Sequence, residues 1–328
     1  MKNLFYISVI LFLWSCNDSA DQNSVVNEVE ENPATQVIPE EAEPFVGRWD
    51  LTYDIDGQPA PSWLEIKLSG FATLVGRYVS VTGSARPVSH IYLKDGVFSF
   101  SIPPQWEGGE GDFKVEGRLA GNGLKGKITT NKGEVYEYTG VKAPLMVRTA
   151  EVKWGEPIDL FNGENLDGWK TTSDQGNWKV IDGILTSTES GSNLISEEKF
   201  EDFKLEAEFR YPKGSNSGIY LRGRYEVQIE DTPQDRHPES HLYGGVYGFL
   251  TPNENATLGP DVWQKFEITL VGRLVTIVAN GKEIMTRQEI PGITGGALDS
   301  DEGEPGPIYI QGDHGAVEFR KIRITPAI

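Results

Sequence analysis

From residue 45 onward the chain alternates short apolar-rich runs with Gly, Asn and Asp turn signals, and no stretch sustains a 3.6-residue apolar period. Such a pattern is satisfied by strands, whose successive side chains face opposite sides of a sheet. A first group of runs covers 48–55, 63–68, 72–81, 90–93, 97–102, 113–119, 124–130 and 135–141. Asp95-Gly96, Gly121-Asn122-Gly123 and Asn131-Lys132-Gly133 punctuate it as hairpin turns do. A second group covers 178–181, 183–187, 205–211, 217–221, 225–229, 263–271, 274–279, 282–285, 308–311 and 317–324. Asn280-Gly281, set between two alternating runs, is its strongest hairpin signal. Residues 196–203 are the one stretch that reads as a helical turn. The chain is therefore expected to be all-β. A length of 328 residues favours two domains after any leader. The expectation is a small antiparallel barrel or sandwich over 45–150 and a larger jelly-roll sandwich over 153–328, joined at 142–152.

The residues ahead of these strands have a different character. Lys2 followed by the apolar run 4–13 reads as a signal peptide, too short to span a bilayer as a mature helix. Its end, Leu13-Trp14-Ser15-Cys16, resembles a bacterial lipobox, which makes Cys16 the lipidated residue. An ordinary secretory signal whose apolar core ends in cysteine is the alternative. Cys16 is the only cysteine, so no intramolecular disulfide and no cluster of thiolate ligands can form. Residues 17–44 carry eight acids and no Lys or Arg, the composition of an acidic disordered tether. Together these predict a lipid-anchored protein of the bacterial cell envelope, bound to membrane through the anchor alone. The formal net charge of −19 lacks the cations that phosphate neutralisation needs, so nucleic acid is not an expected partner.

Candidate chemistry concentrates in the second domain. Strand alternation over Asn216–Asp231 places Tyr220 and Arg222 on one face, and Glu226, Gln228 and Glu230 on one face of the next strand. Adjacent strands then assemble Tyr220, Arg222, Glu226 and Gln228 into a hydrogen-bonding surface suited to a sugar. A long loop follows with Arg236, His237, His241 and Tyr247. Pro238 argues against a helical metal pair of His237 and His241, so His241 and Tyr247 are read as contacts at the rim of a substrate site. Asp299, Asp301, Glu302 and Asp313 offer hard oxygens of the kind that bind Ca²⁺, although acidic runs are commonly just solvated. His314, at a glycine-flanked tip, is the best candidate proton carrier because its unperturbed pKa lies near neutrality. The first domain offers His90 and no acid–base cluster. Gly47-Arg48-Trp49 near its start resembles the opening of lipocalin-like barrels, and the domain is read as accessory.

Several separated motifs carry a family resemblance. Leu160-Phe161-Asn162-Gly163-Glu164-Asn165-Leu166-Asp167-Gly168-Trp169 opens the second domain. Asn216-Ser217-Gly218-Ile219-Tyr220-Leu221-Arg222 and Tyr225-Glu226-Val227-Gln228-Ile229 occupy its middle. Gly295-Gly296-Ala297-Leu298, Pro305-Gly306-Pro307-Ile308 and Gln311-Gly312-Asp313-His314-Gly315 close it. Over residues 153–328 the chain resembles the 3-keto-disaccharide hydrolase family, which includes 3-keto-glucoside lyases. The resemblance implies a concanavalin-like fold and a carbohydrate substrate whose C3 is a ketone, supplied by an upstream sugar oxidoreductase. In such a substrate the C2 proton is acidic, its removal gives an enediolate, and the C1 oxygen leaves by β-elimination; water then adds to the product. Carried onto this sequence, Glu226 is the candidate base, Arg222 the oxyanion partner and His314 a base or acid. Asn216, Tyr220 and Gln228 orient hydroxyls. A divalent metal held by Glu226, Asp231 or His314 is an alternative electrophile to Arg222. Two further functions compete: a glycan-binding surface lipoprotein without chemistry, and a glycoside hydrolase using two carboxylates. For the latter, Glu226 and Glu230 lie about 13 Å apart along one strand, beyond the separation such enzymes use.

Overall fold

The computed structural model describes residues 39–174 and 176–328. The expected leader with Cys16, and the acidic segment up to residue 38, lie outside the described residues. The last part of that segment does not remain free of the fold. Ala42 is buried, Glu43–Phe45 make one 3-10 turn, and Phe45 packs edge-on against Phe98 at 5.8 Å.

Eight antiparallel strands follow: β1 (Gly47–Ile55), β2 (Gln58–Ser69), β3 (Thr73–Val79), β4 (Arg86–Lys94), β5 (Val97–Ile102), β6 (Phe113–Ala120), β7 (Gly123–Thr129) and β8 (Val135–Lys142). Each pairs with the next, and β8 closes onto β1, so a barrel without free edges results. Alternation does this work locally. In β6, Phe113 and Val115 point inward and are buried, while Lys114, Glu116 and Arg118 stay outside. Two glycines make room for an inner ring: a Cβ on Gly117 or Gly126 would lie 2.3 or 2.5 Å from the Tyr138 hydroxyl. Trp49, Tyr53, Tyr78, Phe98 and Phe100 fill the rest of the interior.

The second unit contains β9 (Ile158–Asp159), β10 (Trp169–Thr171), β11 (Trp178–Ile181), β12 (Ile184–Ser187), β13 (Leu194–Phe200), β14 (Phe203–Arg210), β15 (Asn216–Leu221), β16 (Tyr225–Glu230), β17 (Gln264–Val271), β18 (Leu274–Ala279), β19 (Lys282–Glu289), β20 (Gly306–Ile310) and β21 (Val317–Pro326). They form a five-stranded sheet, ordered β10-β13-β20-β15-β16, and a larger sheet ordered β11-β12-β21-β14-β17-β18-β19, with β9 beside β21. The all-β, barrel-plus-jelly-roll expectation is met. Asn280 and Gly281 both have positive φ in the β18–β19 turn, as a type I′ hairpin requires. The expected helical turn over 196–203 is instead the end of β13 and the start of β14. A register shift between Ile195 and Lys199 leaves Glu197–Lys199 exposed together, and that run of polar residues hides the strand alternation.

The barrel and the sandwich share packing. Trp63 of β2 and Val79 of β3 are buried within the sandwich's own core, where Trp63 meets Phe249 edge-on at 5.2 Å. Arg77 lies over both rings. The Gly296 N–H donates to the Val81 carbonyl at 3.0 Å, and Ser300 Oγ donates to the Leu51 carbonyl at 2.5 Å. Residues 143–148 are held too, since Arg273 donates to the Pro144 carbonyl at 2.8 Å and Arg148 to Asp202 at 2.8 Å.

Candidate active site

The β15–β16 hairpin sets the site. Its register pairs Tyr220 with Glu226 and Gly218 with Gln228, so these residues share the sheet face turned away from the sandwich core. Ile219, Leu221, Val227 and Ile229 point the other way into that core. A cavity of about 460 Å³ opens over the polar face, within the roughly 300–1,000 Å³ common for small-molecule sites. Asn216 and Tyr220 line it from β15, Glu226 and Gln228 from β16, and Gln311 and His314 from the segment after β20. Tyr247 lines it from the loop between β16 and β17. Thr82, Gly83 and Trp106 complete it from the barrel.

Glu226 is only 3% exposed. Its carboxyl lies across Gly218, where a Cβ would come within 2.4 Å of Oε1, so any larger residue there would displace it. The Tyr220 hydroxyl stands 2.9 Å from Glu226 Oε2 and 3.0 Å from the Gly295 carbonyl oxygen. A phenol has one proton to donate. Both contacts are satisfied when Glu226 is neutral and donates to Tyr220, which donates to Gly295. Electrostatics agree: burial pushes the Glu226 pKa up to about 8, against the Tyr220 hydrogen bond and the nearby His314, with Asp313 and Glu230 adding to the rise. Gln228 lies 3.0 Å from Glu226 Oε1, and donates to it when its amide nitrogen faces the carboxyl. Tyr309 stacks on Tyr220 with ring centroids 4.4 Å apart and fixes the phenol's position.

His314 forms a second proton-carrying pair. Its Nδ1 meets Asp313 Oδ1 at 2.5 Å, and this hydrogen bond raises its pKa above the ordinary histidine value despite partial burial. Burial alone would raise Asp313, but its bonds to His314 and Asn193 prevail and hold it low. The pair leaves Nε2 as the free basic atom. Glu226 can therefore donate a proton near neutral pH, and His314 Nε2 can accept one.

The structure brings together Asn216, Tyr220, Glu226, Gln228, Tyr247 and His314, and leaves others out. Arg222 is fully buried and does not line the cavity. The chain leaves β15 at Leu221, and Arg222 and Gly223 both take positive φ in the turn, so strand alternation no longer applies to Arg222. Its guanidinium turns inward, donating to the Tyr225 hydroxyl at 3.0 Å and the Gly272 carbonyl at 3.2 Å. The side chain of His241 points to Glu239 at 3.5 Å, and only its backbone carbonyl reaches Gln228. Asp231 accepts the Gly214 N–H at 2.7 Å, so Glu226, Asp231 and His314 do not converge. Among the described residues no group of three or more His, Cys, Asp or Glu side chains is placed to hold a metal ion. Of the acidic run, Asp301 is exposed, whereas Asp299 pairs with Arg224 at 2.6 Å, and buried Glu302 accepts from Tyr225 at 2.6 Å and pairs with Arg273.

Gln311 and the barrel residues Thr82, Gly83 and Trp106 escaped the sequence reading. Gln311 is buried and its Oε1 has no hydrogen-bond partner in the protein, which leaves it open to a ligand hydroxyl. Its position beside the Gly312-Asp313-His314 tip was the available signal. Trp106 gave none, because the contact joins residues far apart in sequence.

Comparisons with known proteins follow this geometry. A family profile described as a 3-keto-alpha-glucoside-1,2-lyase-like domain matches residues 156–325. A 3-keto-disaccharide hydrolase of Bacteroides thetaiotaomicron is 32% identical over 86 residues, an alignment spanning 23% of this chain and 29% of that protein. The chain thus matches less than a third of that relative's length. Among solved structures, a provisionally named glycosyl hydrolase of Parabacteroides distasonis aligns with 24% identity and a TM-score of 0.45, over 56% of this chain and 93% of that one. A second from the same organism aligns with 22% identity and a TM-score of 0.42, over 52% and 98%.

Proposed function

The chain belongs to the 3-keto-alpha-glucoside-1,2-lyase-like family, and from that premise we propose that its cavity cleaves the glycosidic bond of 3-keto-glycosides by C2 deprotonation and β-elimination. The observation that carries this reading is the pairing, in one cavity, of a neutral buried carboxyl at Glu226 with the Asp313–His314 pair. Elimination needs a base and an acid of this kind and no second ionised carboxylate. Glu226 is the one acid lining the cavity among the described residues, which weighs against two-carboxylate hydrolysis.

The steps follow from what each group holds. His314 Nε2 takes the C2 proton, while Asp313 keeps the Nδ1 proton in place and stabilises the imidazolium that forms. The C2–H electrons move into a C2–C3 double bond and leave an oxyanion on O3. The Asn216 amide supplies a donor to the sugar's oxygens, and Gln311 Oε1 accepts from a sugar hydroxyl. When the O3 charge returns to a carbonyl, the C1–O bond breaks and Glu226 gives its proton to the departing oxygen. The products are an alcohol and a 1,2-unsaturated 3-keto sugar. Adding water across that double bond restores a free 3-keto sugar, so the sum is hydrolysis. Histidine returns its proton and Glu226 is reprotonated from solvent.

The envelope location belongs to the same proposal, supported by the lipobox-like Leu13-Trp14-Ser15-Cys16 and the acidic residues after it. A chromogenic 3-keto-glucoside and its unoxidised parent test the activity. Release from the keto sugar alone is the expected result, and release from neither would move the reading to a glycan-binding protein.

A further inference from the structure

Trp106 is 77% exposed yet sits on a braced loop of the barrel. Gln105 exchanges two hydrogen bonds with Ser84, at 2.8 and 3.0 Å. Glu107 accepts the backbone N–H of Gln105 at 2.7 Å and of Trp106 at 3.1 Å, and Arg86 ties the loop's base through the Pro103 carbonyl at 2.8 Å. Trp106 of the barrel and Tyr247 of the sandwich line the same cavity. The ring thus stands in the wall of the cavity with most of its apolar surface uncovered by protein. A single exposed apolar residue is ordinary. One carried on a braced loop in the wall of a polar cavity presents a pre-formed stacking surface.

We propose that Trp106 is a specificity-determining residue: the barrel supplies the platform on which the leaving group of the substrate stacks, so the site prefers 3-keto-glycosides whose leaving group is a second ring. This rests on the elimination reading above. Glu226 and Gln228 lie on the sheet floor, where the reacting ring must be, and Trp106 enters from the opposite partner in the fold. The apolar C–H face of a pyranose, or an aromatic aglycone, meets the electron-rich face of an indole favourably. A methyl leaving group offers almost nothing to it. On this account the first domain is part of the active site and sets which glycosides are cleaved.

The test compares a 3-keto-disaccharide with the methyl 3-keto-glycoside in the wild type, Trp106→Ala and Trp106→Phe. In Trp106→Ala the ratio of kcat/KM between disaccharide and methyl glycoside falls about tenfold, near the upper end of aromatic contact energies. The loss is carried by KM, and Trp106→Phe recovers most of it. An unchanged ratio, or an equal loss on both substrates, overturns the proposal, the latter meaning that Trp106 only braces its loop. If the wild type turns over neither substrate, the elimination reading has failed, and calorimetric binding of the disaccharide decides the rest. Weaker binding by about tenfold in Trp106→Ala upholds the platform; equal binding, or none to either protein, overturns it.

Discussion

The Tyr220 hydroxyl, with one proton and two acceptors in reach, ties the protonation of Glu226 to the geometry of its neighbours. Burial is the larger cause of the raised pKa of Glu226. Because the folded value, about 8, exceeds the ordinary carboxylate value, the folded state holds a proton that the unfolded state has lost. The stability from this group is therefore complete below the unfolded pKa and is lost as pH rises toward about 8. Glu226→Gln removes that dependence: its Tm declines less between pH 5 and 9 than that of the wild type, by calorimetry. The same variant loses at least about 100-fold in turnover and its alkaline limb in the pH profile, which reports Glu226 ionising. The acid limb belongs to His314, whose pKa the Asp313 carboxylate raises. Asp313→Asn moves that limb to lower pH and lowers kcat, by steady-state kinetics across pH.

At the scale of elements, the β15–β16 hairpin explains which part of the site the sequence discloses. A short turn fixes a register in which alternate residues of two strands meet, so Tyr220, Glu226 and Gln228 are legible from spacing. Arg222 is misread because a turn residue with positive φ obeys no strand alternation. The guanidinium instead joins a buried polar cluster with Tyr225, Glu302 and Arg273. Glu302 stays ionised there: burial opposes it, but the Arg273 hydrogen bonds hold its pKa low. Arg273→Ala strands that carboxylate in the interior and costs about 3–5 kcal/mol, measured by denaturant unfolding. The strands themselves are legible wherever one face is apolar. At β13 three exposed polar residues in a row cancel the pattern, and tertiary pairing with β10 and β20 declares the strand.

Taken as a whole molecule, the barrel is built into the sandwich. Asp50 of β1 is buried near Glu302, and burial together with that neighbouring charge pushes its pKa up to about 9, so Asp50 keeps its proton beside the ionised Glu302 at the junction. None of this is visible in a linear reading, because Asp50–Glu302, Leu51–Ser300 and Trp63–Phe249 join residues well over a hundred positions apart. Sequence patterns report which face of a strand is apolar; they do not report what docks on it. The proposed leader, in contrast, rests on sequence alone. Cys16→Ser is expected to abolish incorporation of labelled palmitate and to move the protein from the membrane to the soluble fraction of cells.

The central claim is that the bond breaks because the C2 proton is removed first, and C2 deuteration of a 3-keto-glycoside tests it most directly. Elimination predicts a primary isotope effect on kcat/KM, larger than about 2, where proton transfer limits the rate. It also predicts exchange of solvent deuterium into C2 of the hydrated product. Cleavage with no isotope effect, and with no solvent deuterium gained at C2 by the unlabelled substrate, would contradict it and point to direct displacement at C1.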